Sequence, residues 1–365
     1  MSEIVPPHIA RLTPYVPGRL IEEVEAELGR TGLIKLASNE NSLGPSPKAL
    51  EAVTRALARV HRYSDADSRF LKAALSRKTG CDPAQIVCGN GSSELILVLA
   101  HALTGPGDRA VMSRPSFTLY AKNAQAAGAE IREAPLTPAY GHDLAALLAL
   151  TDERTKLVFL DNPLNPTGAF LEQAEITSFY RRLPPTAVLV LDEAYLDFSR
   201  RPRADWRPLL AETDGRLVVL RTFSKIYGLA GLRAAYGLMP APLAAAVNKV
   251  RQPFNMNGPA QAGAAAALDD EDFLRRTLEM TWASLDYFRA ELPRLGLEPR
   301  PSEANFLMVD LGGRSAEAIY RAVLERGVIT RSLASFGLPT CLRVNAGLPD
   351  ESRALTAALK KVLGP

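Results

Sequence analysis

The sequence has few of the residues from which metal centres and disulfide frameworks are built. Its 365 residues include only four histidines and three cysteines, Cys81, Cys88 and Cys341. The cysteines form no CxxC pair and the histidines are scattered, so we expect no metal site. Cysteines without an even framework are typical of reduced, partly buried thiols, and we therefore expect a cytoplasmic protein.

Long hydrophobic runs and an excess of one charge are also absent. The N-terminal segment MSEIVPPHIARLTPYVPGRL has no apolar core suited to a signal peptide, and no run elsewhere is long enough to cross a bilayer. The alanine-rich stretch 262–268 ends in Asp269 and Asp270, which predicts a tightly packed helix. Lysine and arginine number 43 against 40 acidic residues, and they are dispersed. We expect neither a membrane nor a nucleic acid as partner.

What the chain does contain is enough apolar sequence for a large core. Hydrophobic residues make up 47% of it, and the length suggests about two domains. Three short runs rich in branched residues predict strands that are buried on both faces: 157–160, 187–191 and 217–220. Helical patterns alternate with such runs from about residue 46 to residue 240, and they predict helices over 47–60, 68–79 and 93–103. This alternation favours βαβ units and a mainly parallel sheet, the α/β class.

The C-terminal third has a different pattern. It predicts a smaller α+β unit with the following elements: a long helix over 274–292, strands over 305–309 and 341–345, and a helix over 316–326. We expect an N-terminal segment (1–40) that joins the small domain or a partner subunit, a large domain (41–268) and a small C-terminal domain (269–365).

Polar residues follow each of the three predicted strands of the large domain. Asn165, Asp192 and Lys225 come shortly after the first, second and third strand. In open α/β sheets, ligands bind outside the carboxyl ends of the strands. The sequence therefore predicts that these three side chains meet at one edge of the sheet and form a binding site there.

Motifs along nearly the whole chain resemble those of the fold-type I pyridoxal-phosphate (PLP) aminotransferases, and most closely the histidinol-phosphate aminotransferases. They are, in order, LTPYVPG, IKLASNEN, HRYSDADS, GNGSSELI, NPLNPTG, LDEAYLDF, LRTFSKIYGLAGLR, KVRQPFNMN and LRVNAG. No single motif is decisive, but their joint occurrence in this order is specific. The resemblance implies PLP as cofactor and a large domain whose mainly parallel sheet is flanked by helices.

The resemblance also gives roles to the residues at the predicted sheet edge. It implies that Lys225 binds PLP as an imine, and burial near cationic groups would lower a lysine pKa enough for such chemistry. It implies that Asp192 pairs with the ring nitrogen, where an anion keeps the ring protonated and able to accept electrons. Tyr195 and Asn165 resemble the pair that bonds the phenolic oxygen. Taken alone, the lysine would be read as a surface residue and the aspartate as a helix cap.

Residues from several motifs resemble the family's phosphate-binding group. Gly91, Ser92 and Ser93 precede a helical pattern, whose N-terminus suits an anion. The resemblance adds the following residues: Thr222, Ser224 and Arg233 as further phosphate ligands, Tyr63 as a phosphate ligand that reaches across to the other subunit of a homodimer, and Phe117 as the aromatic residue stacked on the ring. The GNG sequence is not a dinucleotide fingerprint, because Glu94 takes the place of the third glycine.

Two arginines match residues that bind the substrate in the family. Arg343 matches the arginine that binds an α-carboxylate, and Arg331 matches the one that meets the phosphate of histidinol phosphate; a forked donor suits either anion. Asn39 and Tyr15 also fall in motifs assigned to the substrate. Leu164 and Ser93 stand where the family commonly has Asn and Asp, so they are expected to change the details of the pocket.

The function that the resemblance implies is transfer of an amino group between histidinol phosphate and 2-oxoglutarate, in a ping-pong reaction of histidine biosynthesis. Two alternatives remain open: an aromatic amino-acid aminotransferase, and a PLP enzyme that decarboxylates threonine phosphate. A non-catalytic PLP-binding regulator is disfavoured, because no helix-turn-helix segment precedes residue 30. The expected partners are a small-molecule amino donor, a 2-oxo acid and a second copy of the chain.

Overall fold

The computed structural model describes residues 4–14, 18–212 and 214–364. The strands within these residues are β1 (Ile34–Lys35), β2 (Ile86–Gly89), β3 (Arg109–Arg114), β4 (Glu130–Pro135), β5 (Thr155–Asp161), β6 (Val188–Asp192), β7 (Leu217–Thr222), β8 (Ala235–Leu238), β9 (Glu298–Pro299), β10 (Phe306–Asp310), β11 (Val328–Ile329), β12 (Arg331–Ser332) and β13 (Cys341–Asn345).

The α-helices are α1 (Pro7–Ala10), α2 (Ile21–Leu28), α3 (Pro47–Leu57), α4 (Arg69–Thr79), α5 (Ser92–Leu103), α6 (Leu119–Ala126), α7 (Leu144–Ala149), α8 (Gln173–Arg182), α9 (Arg207–Leu210), α10 (Ala241–Val250), α11 (Gly258–Ala267), α12 (Glu271–Glu291), α13 (Ala316–Leu324) and α14 (Pro349–Leu363). Short 3₁₀ turns lie at Pro83–Gln85, Leu196–Phe198, Ala230–Leu232, Leu292–Leu295 and Ala334–Phe336. Among the described residues, no helix is long and apolar enough to cross a membrane.

A seven-stranded sheet organises the first two thirds of the chain. Its order is β2-β8-β7-β6-β5-β3-β4, and every neighbouring pair is parallel except those that β8 makes. Alternate residues of β5, β6 and β7 enter two different hydrophobic clusters, one on each face of the sheet. Burial on both faces explains why these strands are apolar without alternation. The predicted α/β class is confirmed.

Close helix packing covers one face of this sheet. Ser46 caps α3, since its Oγ accepts the N–H of Ala49, and the same hydroxyl donates to Asp270 Oδ2 at 2.6 Å. The alanine-rich α11 packs against α3 so closely that a Cβ on Gly263 would lie 2.7 Å from Val53 Cγ2. Small residues are therefore needed here, as the sequence predicted for 262–268.

The C-terminal part contains an antiparallel sheet of order β12-β13-β10-β9, packed with α12, α13 and α14 around a separate hydrophobic cluster. The N-terminal strand β1 pairs in parallel with β11, through Ile34 with Val328 and Lys35 with Ile329. This pairing is what was expected if the N-terminal segment joins the small domain. The domain boundaries after residues 40 and 268 stay predictions.

Candidate active site

Three neighbouring strands end at one edge of the large sheet. β5, β6 and β7 are parallel and adjacent, and Asp161 and Asp192 are register partners at the ends of β5 and β6. The segments that follow these strands carry Asn165, Tyr195 and Lys225. The structure therefore brings the residues that the sequence placed at this edge into one region, by the topology that the sequence predicted.

Lys225 lies in the loop after β7 and is half-buried. Its Nζ donates to the carbonyl of Ser38 at 3.1 Å and lies 5.5 Å from the ring centre of Tyr195. The loop packs tightly on the segment before α3, because a Cβ on Gly228, whose φ is +67°, would overlap the carbonyl oxygen of Gly44. These contacts hold the amine between the N-terminal segment and the sheet edge.

Asp192 lies in an almost dry environment with two hydrogen-bond donors. Its Oδ2 accepts the hydroxyl of Tyr120 at 2.9 Å, and its Oδ1 accepts the N–H of Ala194 at 3.0 Å. Burial raises the pKa of Asp192 to about 6, although both hydrogen bonds and Lys225 act in the opposite direction. The ionised carboxylate can therefore pair strongly with a nearby protonated nitrogen, since little water competes for it.

Tyr120 was missed by the sequence reasoning. It is fully buried, its ring stacks on Phe159 with centroids 4.8 Å apart, and it meets Phe117 edge to face at 5.4 Å. The one available signal was spacing, because Tyr120 stands one helical turn after the predicted site residue Phe117. Phe117 itself is half-buried against this pair.

A hydrogen-bonded group of side chains joins the sheet edge to the N-terminal segment. Asn39, whose φ of +56° is unusual for a non-glycine residue, donates from Nδ2 to the hydroxyl of Tyr195 at 2.9 Å. Arg343 donates to Asn165 Oδ1 and, at 2.8 Å, to the carbonyl of Ala37. Four of the predicted site residues are thus in direct contact in pairs.

Arg331 stands next to Arg343 in the antiparallel sheet, as its register partner across β12 and β13. Directly opposite residues of such a pair project on the same face, so both side chains point to the same side. Arg331 is half-buried, whereas Arg343 is buried. The pair gives this side of the site a strong positive charge.

A candidate anion cradle lies where α5 begins. Gly91 precedes the helix with a φ of +82°, and a Cβ on it would overlap Nη2 of Arg233. Arg233 Nη1 also lies 3.3 Å from Ser224 Oγ, and Thr222 precedes Ser224 by two residues. A helix N-terminus, an arginine and hydroxyl groups therefore converge, which suits a phosphate. Ser92 and Ser93 form the first turn of α5.

One predicted site residue stands apart from this arrangement, and another cannot be placed. Tyr63 is 87% exposed, and its ring stacks against Phe254 with centroids 4.8 Å apart. Within this chain it is therefore not enclosed with the residues at the sheet edge. Tyr15 lies outside the described residues.

A buried polar cluster lies next to the residues at the sheet edge. Glu193, which follows Asp192, binds Arg221 through Oε2 and accepts the indole N–H of Trp206 at 2.7 Å. The sequence reasoning passed over these residues, although Glu193 and Arg221 fall inside quoted motifs. Their contacts fix the positions of the segments after β6 and β7, so they orient Asp192 and Lys225 indirectly.

The comparisons with known proteins agree with this geometry. The model of the family described as aminotransferase class I and II matches residues 31–359. The chain is 43% identical to the histidinol-phosphate aminotransferase of Anaeromyxobacter sp. (strain Fw109-5), over 99% of each chain. It is also 43% identical to histidinol-phosphate aminotransferase 2 of Methylococcus capsulatus, over the whole of both chains.

A solved structure gives the same result. The crystal structure of histidinol-phosphate aminotransferase from Sinorhizobium meliloti, in complex with pyridoxal-5′-phosphate, has a TM-score of 0.88 and 32% identity, covering 98% of this chain and 96% of that one. The chain therefore belongs to the class I and II aminotransferases and, among them, to the histidinol-phosphate aminotransferase family.

Proposed function

We propose that this protein is a PLP-dependent aminotransferase that moves the amino group of histidinol phosphate to 2-oxoglutarate in histidine biosynthesis. The observation that carries the proposal is the meeting of Lys225, Asp192 and the Gly91–Arg233 cradle around one edge of a sheet, in a chain that matches its histidinol-phosphate aminotransferase relatives over its full length. Each of the three would serve a different part of one cofactor.

The residues present fit PLP. The glycine at the start of α5 leaves Arg233 the space that a side chain would take, as a phosphate cradle requires. Asn39 Oδ1 and Asp161 Oδ1 are buried and have no hydrogen-bond partner among the described residues. Both atoms therefore remain available for hydrogen bonds with a bound group. Gly91, Ser92, Ser93, Thr222, Ser224 and Arg233 would hold the phosphate, Asp192 the ring nitrogen, and Tyr195 and Asn165 the phenolic oxygen. Phe117 would stack on the ring.

When bound, PLP supplies an electron-withdrawing ring that makes the proton on the substrate's amino-bearing carbon acidic. Lys225 Nζ is the group that would take this proton and return it, because it is held between the Ser38 carbonyl and the Tyr195 ring on a segment fixed by Gly228. Asp192 would keep the ring nitrogen protonated from its buried position. Lys225, Asp192 and Tyr195 are thus the proposed catalytic residues.

Arg331 and Arg343 would select the substrates. A ping-pong reaction uses one site for both partners in turn, so the site must accept the phosphate of the donor and the carboxylates of glutamate and 2-oxoglutarate. Two neighbouring guanidinium groups can bind any of these anions with forked hydrogen bonds. Asn39, in contact with Tyr195, and Tyr15 complete the proposed substrate residues.

We further propose a cytoplasmic homodimer. The three cysteines are free and buried, which suits a reducing compartment. Large apolar side chains are exposed on α3 and α4 and between them, among them Leu57, Val60 and Phe70, with Phe70 84% exposed. Such surface is typical of an interface. Tyr63 lies in this region and would reach the cofactor phosphate of the second subunit.

One panel of assays tests the function. The purified enzyme with PLP is given histidinol phosphate, phenylalanine, tyrosine or glutamate as donor, each with a 2-oxo acid as acceptor. We expect kcat/KM to be highest for histidinol phosphate with 2-oxoglutarate. An enzyme that uses phenylalanine and ignores histidinol phosphate would be an aromatic amino-acid aminotransferase. Release of carbon dioxide from threonine phosphate would indicate a decarboxylase.

A further inference from the structure

Two carboxyl groups lie side by side at the end of the large sheet. Asp161 and Asp192 are register partners on the parallel strands β5 and β6, and their exposed fractions are only 3% and 5%. Register partners on neighbouring strands project on the same face. Two anions this close together and this dry repel each other strongly, so one of the two is expected to hold a proton.

The contacts of Asp192 identify it as the anion. Both of its oxygens accept hydrogen bonds, one from the Tyr120 hydroxyl and one from the Ala194 N–H. Donors of this kind stabilise the ionised form. Lys225, from the loop after β7, adds a positive charge that also opposes the rise in the pKa of Asp192 caused by burial.

The contacts of Asp161 are different. Its Oδ2 accepts the backbone N–H of Asn165 at 2.8 Å, while its Oδ1 has no hydrogen-bond partner among the described residues. Burial and the charge of Asp192 both raise the pKa of Asp161 well above its usual range. Burying a protonated carboxyl whose hydroxyl has no acceptor costs less free energy than burying a second anion. Oδ1, which accepts no hydrogen bond, is therefore the atom left to carry the proton.

His142 does not supply a countercharge to Asp161. Its Nε2 lies 2.9 Å from the carbonyl oxygen of Asp161, and a carbonyl only accepts, so Nε2 bears the hydrogen. Its Nδ1 lies 2.7 Å from Ser113 Oγ, whose hydroxyl can donate. The neutral ring is thereby fully satisfied, and burial lowers its pKa to about 4. The Asp161 carboxyl is 3.7 Å from Nε2, too far for a hydrogen bond.

We propose that Asp161 holds a proton beside neutral His142 and is a positioning residue that leaves the negative charge of this sheet edge on Asp192 alone. The inference rests on the proposed function, because the value of that charge lies in holding the cofactor's ring nitrogen. The groups facing Asp161 are Asp192 on β6, Tyr120 on α6 and His142 before α7. Arg343 donates to the side chain of Asn165, whose backbone N–H donates to Asp161.

The matched substitutions Asp161→Asn and Asp192→Asn in the full-length enzyme with PLP test the proposal. An amide imitates a protonated carboxyl, so the two variants should behave in opposite ways. The folded-state pKa of Asp161 is raised, so its contribution to stability is present below the ordinary pKa of about 4 and is lost as pH rises. The Tm of Asp161→Asn should therefore rise relative to wild type by about a few degrees as pH increases from 5. With PLP bound, Asp192→Asn should instead have a lower Tm and lose PLP more readily, because an amide cannot pair with the charged ring nitrogen.

The pH profile of kcat/KM provides a readout that a merely structural role would not change. In wild type, kcat/KM should fall at high pH in part because Asp161 loses its proton. In Asp161→Asn, which has no such proton, this part of the fall should be absent. A wild type that gains Tm over Asp161→Asn as pH rises would show that Asp161 is an anion, and would overturn the proposal. Loss of PLP from Asp161→Asn as large as that from Asp192→Asn would overturn it too.

The wild-type enzyme offers a test that needs no folded Asp161 variant. The sequence has four histidines, so ¹⁵N-histidine spectra are simple, and His142→Gln assigns the signal. We expect a neutral ring with hydrogen on Nε2 from pH 5 to pH 8. A doubly protonated His142 would mean an ion pair with Asp161 and would refute the proposal. Neither this spectrum nor the Tm pattern depends on turnover, so a protein without amino-transfer activity could still confirm the Asp161 proton.

Discussion

Arg331 of β12 lies directly opposite Arg343 of β13 in the antiparallel sheet. Arg343 is already engaged with Asn165 and with the carbonyl of Ala37, which fixes its guanidinium. Arg331 is half-buried on the same face. Arg343, which is held in place, is suited to bind the anionic group that every substrate has. Arg331 is suited to bind the second negative charge of a phosphate.

Arg331→Ala should therefore weaken the use of histidinol phosphate much more than that of phenylalanine. Loss of a charge-assisted contact costs about 2–3 kcal/mol, on the order of a hundredfold in kcat/KM. Steady-state assays with both donors provide the ratio. Arg321→Ala, which removes an exposed arginine paired with Glu317 on α13, is the control and should change neither value. Equal losses for both donors would mean that Arg331 is structural.

Tyr120→Phe should change the pH dependence of cofactor binding. Asp192 binds a ring cation best when ionised, and burial raises its pKa to about 6 while the Tyr120 hydroxyl lowers it. PLP affinity of the wild type should therefore fall as pH drops through about 6, and in the variant the fall should begin at higher pH. Titrations of PLP at several pH values measure this. Tyr180→Phe removes a hydroxyl that accepts from the N–H of Arg216 elsewhere, and it should leave the profile in place. An unshifted profile for Tyr120→Phe would contradict the role of Tyr120.

Gly91→Ala should reduce the affinity for PLP by about tenfold or more, because strain at positive φ costs about 1–2 kcal/mol and the new Cβ displaces Arg233. The dissociation constant of PLP, measured by absorbance or fluorescence, checks this. Gly105→Ala is the matched control, since nothing lies within 4 Å of a Cβ there. If both variants bind PLP like wild type, the cradle assignment is wrong.

Mixed dimers should reveal whether Tyr63 serves the neighbouring subunit. Lys225→Ala and Tyr63→Ala chains are each expected to be impaired. If Tyr63 acts across the interface, a mixed dimer has one site with both defects and one site with neither, so activity should reappear on mixing. Size-exclusion chromatography with differently tagged chains verifies the exchange. No recovery after verified exchange would place Tyr63 outside the partner's site.

The sequence predicted the parallel strands well because their chemistry is local. The run 217–220 became Leu217–Thr222 and 157–160 became Thr155–Asp161, since burial marks the centre of a strand and ladder pairing sets its ends. It did not predict β8 (Ala235–Leu238), whose alanine and glycine have low strand propensity; here pairing with β2 and β7 overrides propensity. The predicted helix 47–60 ends three residues earlier, at Leu57, because the chain continues in tighter turns, in which the N–H of Val60 bonds to the carbonyl of Leu57.

The sequence predicted those site residues that lie in a recognisable motif. It did not predict those that reach the site only through tertiary packing. Asn39 fell in a quoted motif, and the structure adds its contact with the Tyr195 hydroxyl. Tyr120 lies in no motif, and its bond to Asp192 depends on how α6 packs on the sheet. The neutral His142 beside Asp161 was likewise invisible, because 19 residues and a helix separate them in the chain.

Reduction of the enzyme with borohydride, followed by peptide mapping, tests the central claim most directly. We expect PLP to be attached covalently at Lys225, whose Nζ donates to the Ser38 carbonyl. The label should be found on the peptide that contains Lys225, and Lys225→Ala should retain no reducible label and no transamination. Lys249→Ala, on α10, should label normally. Label found on another lysine of the wild type, with Lys225 unmodified, would contradict the account.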